Sequence, residues 1–194
     1  KRCAIAPSGT EACWELADPA MIDIPDDFLT IGANGIPHDF LQGNTDLFLT
    51  GTLKVGPAVK TIGASAFTDT KLTGLDLSEA TALVEIRDGA FSATNLEGTL
   101  VIPAKVTTIG EYAFQGTKLT GLDLSKATSL VEIGAEAFYA TDLTGTIVIP
   151  AKVTTIGPSA FYKTKLMALD LSKATSLDVA TSLDVGFMRG EPTW

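Results

Sequence analysis

Few residues of this chain combine types and spacing that could support chemistry. The only two cysteines, Cys3 and Cys13, could form a disulfide, stay as free thiols or bind a metal. Their spacing is not Cys-x-x-Cys and a zinc site needs a second pair of ligands, so a disulfide that staples an N-terminal cap is favoured. The single histidine, His38, has no serine or cysteine partner with motif support. We therefore predict no enzyme, no catalytic residue, no metal and no cofactor.

Three aspartates, Asp76, Asp123 and Asp170, recur at a constant interval within Leu-Asp-Leu-Ser segments. On alternate strands of a parallel sheet their carboxylates would lie about 9.6 Å apart, because neighbouring strands are about 4.8 Å apart. Calcium takes its oxygen ligands at about 2.4 Å, so these side chains cannot share one ion. The pattern favours a solvated outer face.

A column of threonines also recurs, once in each interval. If exposed, it could present a regular lattice of hydroxyl and methyl groups to ice or a mineral. Alternatively, each hydroxyl could bond a turn of the main chain. The residues are Thr70, Thr94, Thr117, Thr141 and Thr164.

These residues belong to a repeat of the form Ile-x-x-x-Ala-Phe-x-x-Thr-x-Leu. Successive copies are separated by 24, 23, 24 and 23 residues, so the true unit is a pair of 47 residues. A period of this length indicates a solenoid, in which each unit buries its apolar face only by stacking on its neighbours. The copies begin at Ile62, Ile86, Ile109, Ile133 and Ile156.

Each copy predicts one short strand followed by one turn-rich arc. Segments such as Leu75-Asp76-Leu77 and Leu100-Val101-Ile102 alternate with period two, so each indicates a strand with its Leu or Ile side chains inward. We expect Leu75, Leu100, Leu122, Ile147 and Leu169 on adjacent strands of one parallel sheet. The arc fits either one helical turn or a tight irregular coil, and Gly63, Gly110, Gly134 and Gly157 are expected to supply permissive backbone angles. The arc phenylalanines should stack as a buried ladder, with members Phe67, Phe91, Phe114, Phe138 and Phe161.

Three regions follow from the repeat boundaries. Residues 1–29 do not contain the repeat, so we predict that they form an N-terminal cap, with a short helix around Glu11–Ala17. Residues 30–172 predict the solenoid, in which 30–56 form a divergent first repeat. Residues 173–194 predict a C-terminal cap or a truncated repeat.

Charge and hydropathy restrict the partners. The net charge is −9, and residues 1–50 hold eight acids against two bases, so the repeats themselves are close to neutral. This balance argues against nucleic acid as a partner. No stretch of 18 apolar residues occurs, so membrane insertion is not predicted.

The segment Val106-Thr107-Thr108-Ile109-Gly110-Glu111-Tyr112-Ala113-Phe114, followed by Thr-x-Leu and Leu-Asp-Leu-Ser, closely resembles the BspA-like class of leucine-rich repeats. The resemblance covers roughly residues 30–172. It implies an α/β-type repeat solenoid of about six coils, with short parallel strands on one side and irregular or short helical arcs on the other. It also implies a secreted or surface-exposed protein, since some members are adhesins, and it supplies no shared catalytic site.

We therefore predict a non-enzymatic recognition or adhesion scaffold, extracellular or on the cell surface, that binds a protein or glycan through one solenoid face. The first alternative is a structural subunit of a larger complex, which should expose a contiguous apolar patch. The second is ice or mineral binding through the threonine column. The candidate binding residues are the outward strand positions Lys54, Asp76, Val101, Asp123, Val148 and Asp170.

Overall fold

The fold was analysed in a computed structural model that describes residues 2–5, 11–14, 21–23, 30–31 and 50–178. Within these ranges the chain forms strands and turns and no helix. His38 and the segment 179–194 lie outside the described residues. The strands are numbered β1 to β15 in chain order, and the repeats give each coil one long and one short strand.

The long strands form one side of the solenoid and are all parallel. The sequence predicts a single sheet here, but the ladder is interrupted: β3, β5 and β7 pair together, β9 pairs with β11, and β13 with β15. Each of the pairs β5–β7, β9–β11 and β13–β15 contains a register shift, because a six-residue strand lies beside a five-residue strand. The long strands are β3 (Met21–Asp23), β5 (Thr50–Lys54), β7 (Lys71–Asp76), β9 (Glu97–Val101), β11 (Lys118–Asp123), β13 (Thr144–Val148) and β15 (Lys165–Asp170).

A second parallel sheet, which the sequence analysis did not predict, joins the coils without interruption. Its six strands have two residues each, and the isoleucine that begins the repeat motif is the second residue of each strand from β6 onward. These isoleucines pair in register from coil to coil and are buried. The strands are β4 (Thr30–Ile31), β6 (Thr61–Ile62), β8 (Glu85–Ile86), β10 (Thr108–Ile109), β12 (Glu132–Ile133) and β14 (Thr155–Ile156).

The arcs between short and long strands are irregular turns, so of the two predicted alternatives the irregular coil is confirmed and the short helical arc is wrong. Along each arc, one N–H group donates to a carbonyl of its own coil and the following N–H group donates to a carbonyl of the next coil. For example, the Ala66 N–H donates to the Gly63 carbonyl at 3.3 Å, whereas the Phe67 N–H donates to the Ala90 carbonyl at 2.8 Å. A helix would direct all these donors into its own turn. Positive φ values, such as 61° at Asp69, produce the alternation by breaking the helical run.

The predicted phenylalanine ladder is confirmed. The five rings are fully buried and stack face to face, with centroids 5.2 to 5.4 Å apart and interplanar angles of at most 9°. Alanines one position earlier are also buried, which lets neighbouring coils approach. Of the predicted inward strand residues, Leu100 and Ile147 are buried, whereas Leu75, Leu122 and Leu169 are partly buried against the same core.

The glycines after the short strands have a different role from the one expected. Gly110, Gly134 and Gly157 do not have positive φ. A Cβ on Gly134 would instead lie 2.6 Å from the Glu111 main-chain nitrogen in the previous coil, and similar collisions occur at the other two. Close backbone approach, and not an unusual backbone angle, therefore requires glycine here.

The N-terminal segment contains a hairpin where a helix was expected. Strands β1 (Arg2–Ile5) and β2 (Glu11–Trp14) pair antiparallel, so the helix predicted around residues 11–17 is wrong over 11–14. The register places Cys3 directly opposite Cys13. Directly opposed residues of antiparallel strands have a Cα separation compatible with a disulfide.

Candidate recognition surface

The six predicted binding positions lie at or beside the ends of the long strands, and no described element covers them. The register brings them together as neighbours across the paired strands. Asp76, Asp123 and Asp170 are partly exposed, while Val101 and Val148 are 37% and 40% exposed. The pairs are Lys54 with Asp76, Val101 with Asp123, and Val148 with Asp170.

Each aspartate of this surface also accepts a hydrogen bond that closes the turn directly after its strand. The Asp123 carboxylate accepts a hydrogen bond from the Ser125 N–H at 2.8 Å, and the same bond recurs at Asp76 and Asp170. Hydrogen bonding by the serine side chain, and then by its N–H, lowers the pKa of all three aspartates. The carboxylates are therefore ionised at neutral pH and held in place, with one side still open to solvent.

The N-terminal end of the surface is organised by an ion pair. The Lys54 ammonium lies 2.9 Å from a Glu79 carboxylate oxygen, in the turn that follows β7. Farther along, valines occupy the Lys54 position in alternate coils, so the surface changes from charge pairs to single apolar side chains between carboxylates. The surface therefore presents both charged and small apolar side chains to solvent.

Four threonines of the column are buried and Thr164 is partly buried, so the column does not present an exposed lattice. Thr94, Thr117 and Thr141 are each 2% exposed, and every hydroxyl in the column donates to the carbonyl of the phenylalanine three residues earlier. The turn-bonding interpretation is confirmed. Ice or mineral binding through these residues is excluded, because a lattice cannot reach buried hydroxyls.

Large exposed apolar side chains are dispersed over several sides of the solenoid. Val101 and Val148 lie on the long strands, Tyr112 lies on an arc, and Val131 precedes a short strand. Two more lie in the last described coil: Met167, the most exposed at 79%, on the last long strand, and Leu171 just after it. In the part of the chain that the structure describes, no helix has the length and apolarity needed to cross a bilayer, and no three potential ligands cluster around a possible metal site.

Comparison with known protein families identifies the repeat. The profile of the BspA type leucine-rich repeat region matches six copies over residues 52–179. The chain belongs to the BspA-type leucine-rich repeat family. No curated protein matches it closely enough to count as a relative.

Two solved structures resemble this BspA-type protein. One is the pneumococcal vaccine antigen PcpA, with 27% identity and a TM-score of 0.57 over 61% of this chain and 30% of that one. The other is a leucine-rich cell surface protein from Faecalibacterium prausnitzii A2-165, with 29% identity and a TM-score of 0.55 over 77% of this chain and 38% of that one. The chain thus spans roughly a third of the length of each.

Two features of this BspA-type surface were missed from the sequence. Tyr139 and Tyr162 lie side by side on the arcs with ring centroids 5.8 Å apart, and the Lys163 ammonium donates to the Tyr139 hydroxyl at 2.6 Å, which raises the lysine pKa. A lysine also occupies the turn after each of the last four long strands. The recurring tetrapeptides Pro-Ala-Lys-Val and Ser-Lys-Ala-Thr could have revealed it.

Proposed function

We propose that this chain is a non-enzymatic recognition scaffold, outside the cell or on its surface, that binds a protein or glycan through the outer side of its long strands. One observation carries the proposal: Asp76, Asp123 and Asp170 are held ionised and partly open to solvent outside the core, Asp76 in register with Lys54 and the other two in register with exposed valines. Binding would be spread over several coils, as a periodic surface implies.

The resemblance to a vaccine antigen and to a cell surface protein supports the location. Apart from Met167 and Leu171 in the last described coil, the exposed apolar side chains are dispersed, which favours this role over the alternative of an assembly subunit that needs a large contiguous patch for permanent packing. Nucleic acid is not an expected partner, because the chain carries a net charge of −9.

The test begins with capture of a partner on the immobilised full chain, using extracellular protein and glycan fractions from the protein's source. The decisive variant is Asp76→Asn, Asp123→Asn, Asp170→Asn, which removes three charges but keeps an oxygen that can accept the serine N–H. We expect the Kd of the captured partner to rise by about tenfold or more, since each lost charge contact is worth roughly 1 kcal/mol.

The matched control changes three acids elsewhere: Glu111→Gln, Glu132→Gln, Glu136→Gln alters the net charge by the same amount at the short strands and arcs. It should leave the Kd within about twofold of the starting protein, because distant surface charges are screened in physiological salt. An equal loss in both variants would show that only net charge matters. Unchanged binding in the aspartate variant would remove the long-strand side from the site.

A further inference from the structure

A row of lysines runs along one edge of the solenoid, next to the long strands. One lysine lies in each of the four turns that follow β9, β11, β13 and β15, and all four side chains are exposed. We call this row the lysine ridge. Its members are Lys105, Lys126, Lys152 and Lys173.

The parallel register makes these turns neighbours. Val101 lies opposite Asp123, and the lysines follow these residues by four and three positions, so they lie at corresponding corners of successive coils. A main-chain bond of 3.2 Å from Ser129 N–H to the Ala104 carbonyl joins two of the turns. With coils about 4.8 Å apart, four ammonium groups span roughly 15 Å.

Two aspartates lie beside the ridge, so its four lysines still outnumber the adjacent acids. Among residues 50–178, none of the four lysines forms an ion pair. Asp123 and Asp170 lie three residues before Lys126 and Lys173, and the charge of each lysine contributes to the lowered pKa of its aspartate, whereas a Ser125 or Ser172 N–H occupies one oxygen of each carboxylate. The equivalent turn after β7 carries Glu79, which ends the ridge and pairs with Lys54. The ridge is thus a local basic strip on an acidic protein.

We propose that the lysine ridge binds a linear sulfated glycan. Regularly spaced ammonium groups suit a polymer with repeated anionic groups along its length, and the residue before each lysine is an exposed Ala or Ser that leaves the strip open. Thr128 and Thr175, also exposed in these turns, supply hydroxyl donors for sulfate oxygens.

A glycan fits this strip better than a nucleic acid. No aromatic residue occurs in the four turns, so nucleobases have no surface on which to stack. The inference rests on the proposed recognition role, but its residues differ from those of the long-strand surface.

The test measures binding of the full chain to a heparin oligosaccharide, the same oligosaccharide after chemical desulfation, and a DNA duplex. The ridge variant is Lys126→Gln, Lys152→Gln. The matched control is Lys71→Gln, Lys118→Gln, which removes the same charge from exposed lysines at the opposite ends of the long strands. Thermal melts establish that both variants fold.

We expect the sulfated form to bind and the desulfated form to bind at least tenfold more weakly. The ridge variant should raise the Kd for heparin by about tenfold or more, since each lysine contributes roughly a factor of five near an anionic surface. Its slope of log Kd against log salt should fall by about one for each lysine removed. The control should stay within about twofold.

Three results would overturn the inference: no binding of heparin at low salt, equal losses in the two variants, or tighter binding of the duplex than of heparin. The partner-capture experiment with the aspartate variant is independent of these outcomes. Loss of the ridge assignment would therefore leave the long-strand proposal in place, and the reverse also holds.

Discussion

The rings of Phe114 and Phe138 lie parallel, with centroids 5.3 Å apart and an interplanar angle of 6°. Phe114 also stacks on Phe91 from the other side, at 5.3 Å. Replacing this central ring with alanine should lower the free energy of unfolding by about 3–5 kcal/mol, because it removes buried surface and opens a cavity between two coils. Urea titration followed by circular dichroism measures the change.

The control for the ladder is an exposed residue in the same coil. Lys118→Ala should change the free energy of unfolding by no more than about 0.5 kcal/mol. Similar losses from Phe114→Ala and Lys118→Ala would show that the ladder does not stabilise the array.

The buried threonine hydroxyls should matter far more than the exposed ones. Thr117 donates to the Phe114 carbonyl at 2.9 Å, and Thr117→Val would leave that buried carbonyl without this donor at a cost of about 1–3 kcal/mol. Thr120 donates to the Gly98 carbonyl at 3.3 Å from an exposed position, where water can replace it. Thr120→Val should cost less than about 0.5 kcal/mol in thermal melts; equal costs would contradict the prediction.

At one position of the arcs the backbone has positive φ, so glycine should stabilise the fold there relative to alanine, the reverse of its usual effect. Ala140 has φ of 54° and Gly116, at the same place in the previous coil, has 69°. Gly116→Ala should destabilise by about 1 kcal/mol. Ala140→Gly should be neutral or stabilise by up to about 1 kcal/mol, because relief of strain exceeds the added entropy of the unfolded chain.

The control is the same change where φ is not positive. Ala104→Gly, in an exposed turn, should destabilise by about 0.4–1 kcal/mol through the unfolded state. Denaturant titrations of the three variants compare the signs, and a loss at Ala140 as large as that at Ala104 would disprove the strain argument.

The strand-end aspartates should give a pH-dependent contribution to stability. Hydrogen bonding lowers the pKa of Asp123 below its ordinary value of 3.8, and the same holds for Asp76 and Asp170. Since the folded pKa is the lower one, the ionised form stabilises the fold above about pH 4, and this contribution is lost as the pH falls through the folded value. The effect is small, because water screens these exposed groups.

The aspartate-to-asparagine triple variant isolates this contribution from that of the other acids. Its melting temperature should be slightly below that of the starting protein at pH 7, and the gap should close as the pH is lowered past the folded pKa values. A gap of constant size from pH 7 to pH 2 would show that ionisation of these carboxylates contributes nothing.

The hairpin register supports a prediction about Cys3 and Cys13. If they are bonded, alkylation of the unreduced protein should modify no thiol, as read by intact mass. Reduction should then loosen the N-terminal hairpin, at a cost of about 2–3 kcal/mol for so short a loop. Two alkylated cysteines without reduction would contradict the disulfide.

The features that depend on side-chain burial could be predicted from the sequence. The period identified the solenoid, and the phenylalanine and threonine columns followed from one residue type at one place in each coil. The short-strand sheet escaped prediction because a two-residue strand such as Thr108–Ile109 is too short to show a period of two.

The arcs and the strand pairing could not be predicted for a different reason. Ala93, Tyr112 and Lys163 all adopt positive φ, and nothing in these residue types favours that conformation. The register shifts within the long-strand pairs arise from the unequal lengths of two neighbouring strands, so they depend on two coils at once. The Asp-x-Ser pattern at Asp123 was readable as a turn, and its neglect led to the view of these carboxylates as merely solvated.

The bonds that alternate N–H groups of the arcs send to the next coil have a mechanical consequence. Together with the short-strand sheet, they point along the axis of the stack, so tension applied between its ends pulls directly on them. An inner coil is held by a neighbour on each side, whereas an end coil is held by one. A tethered molecule under load would therefore unfold from an end, one coil at a time. Each released coil of about 24 residues would add about 80 Å to the extended length of the chain.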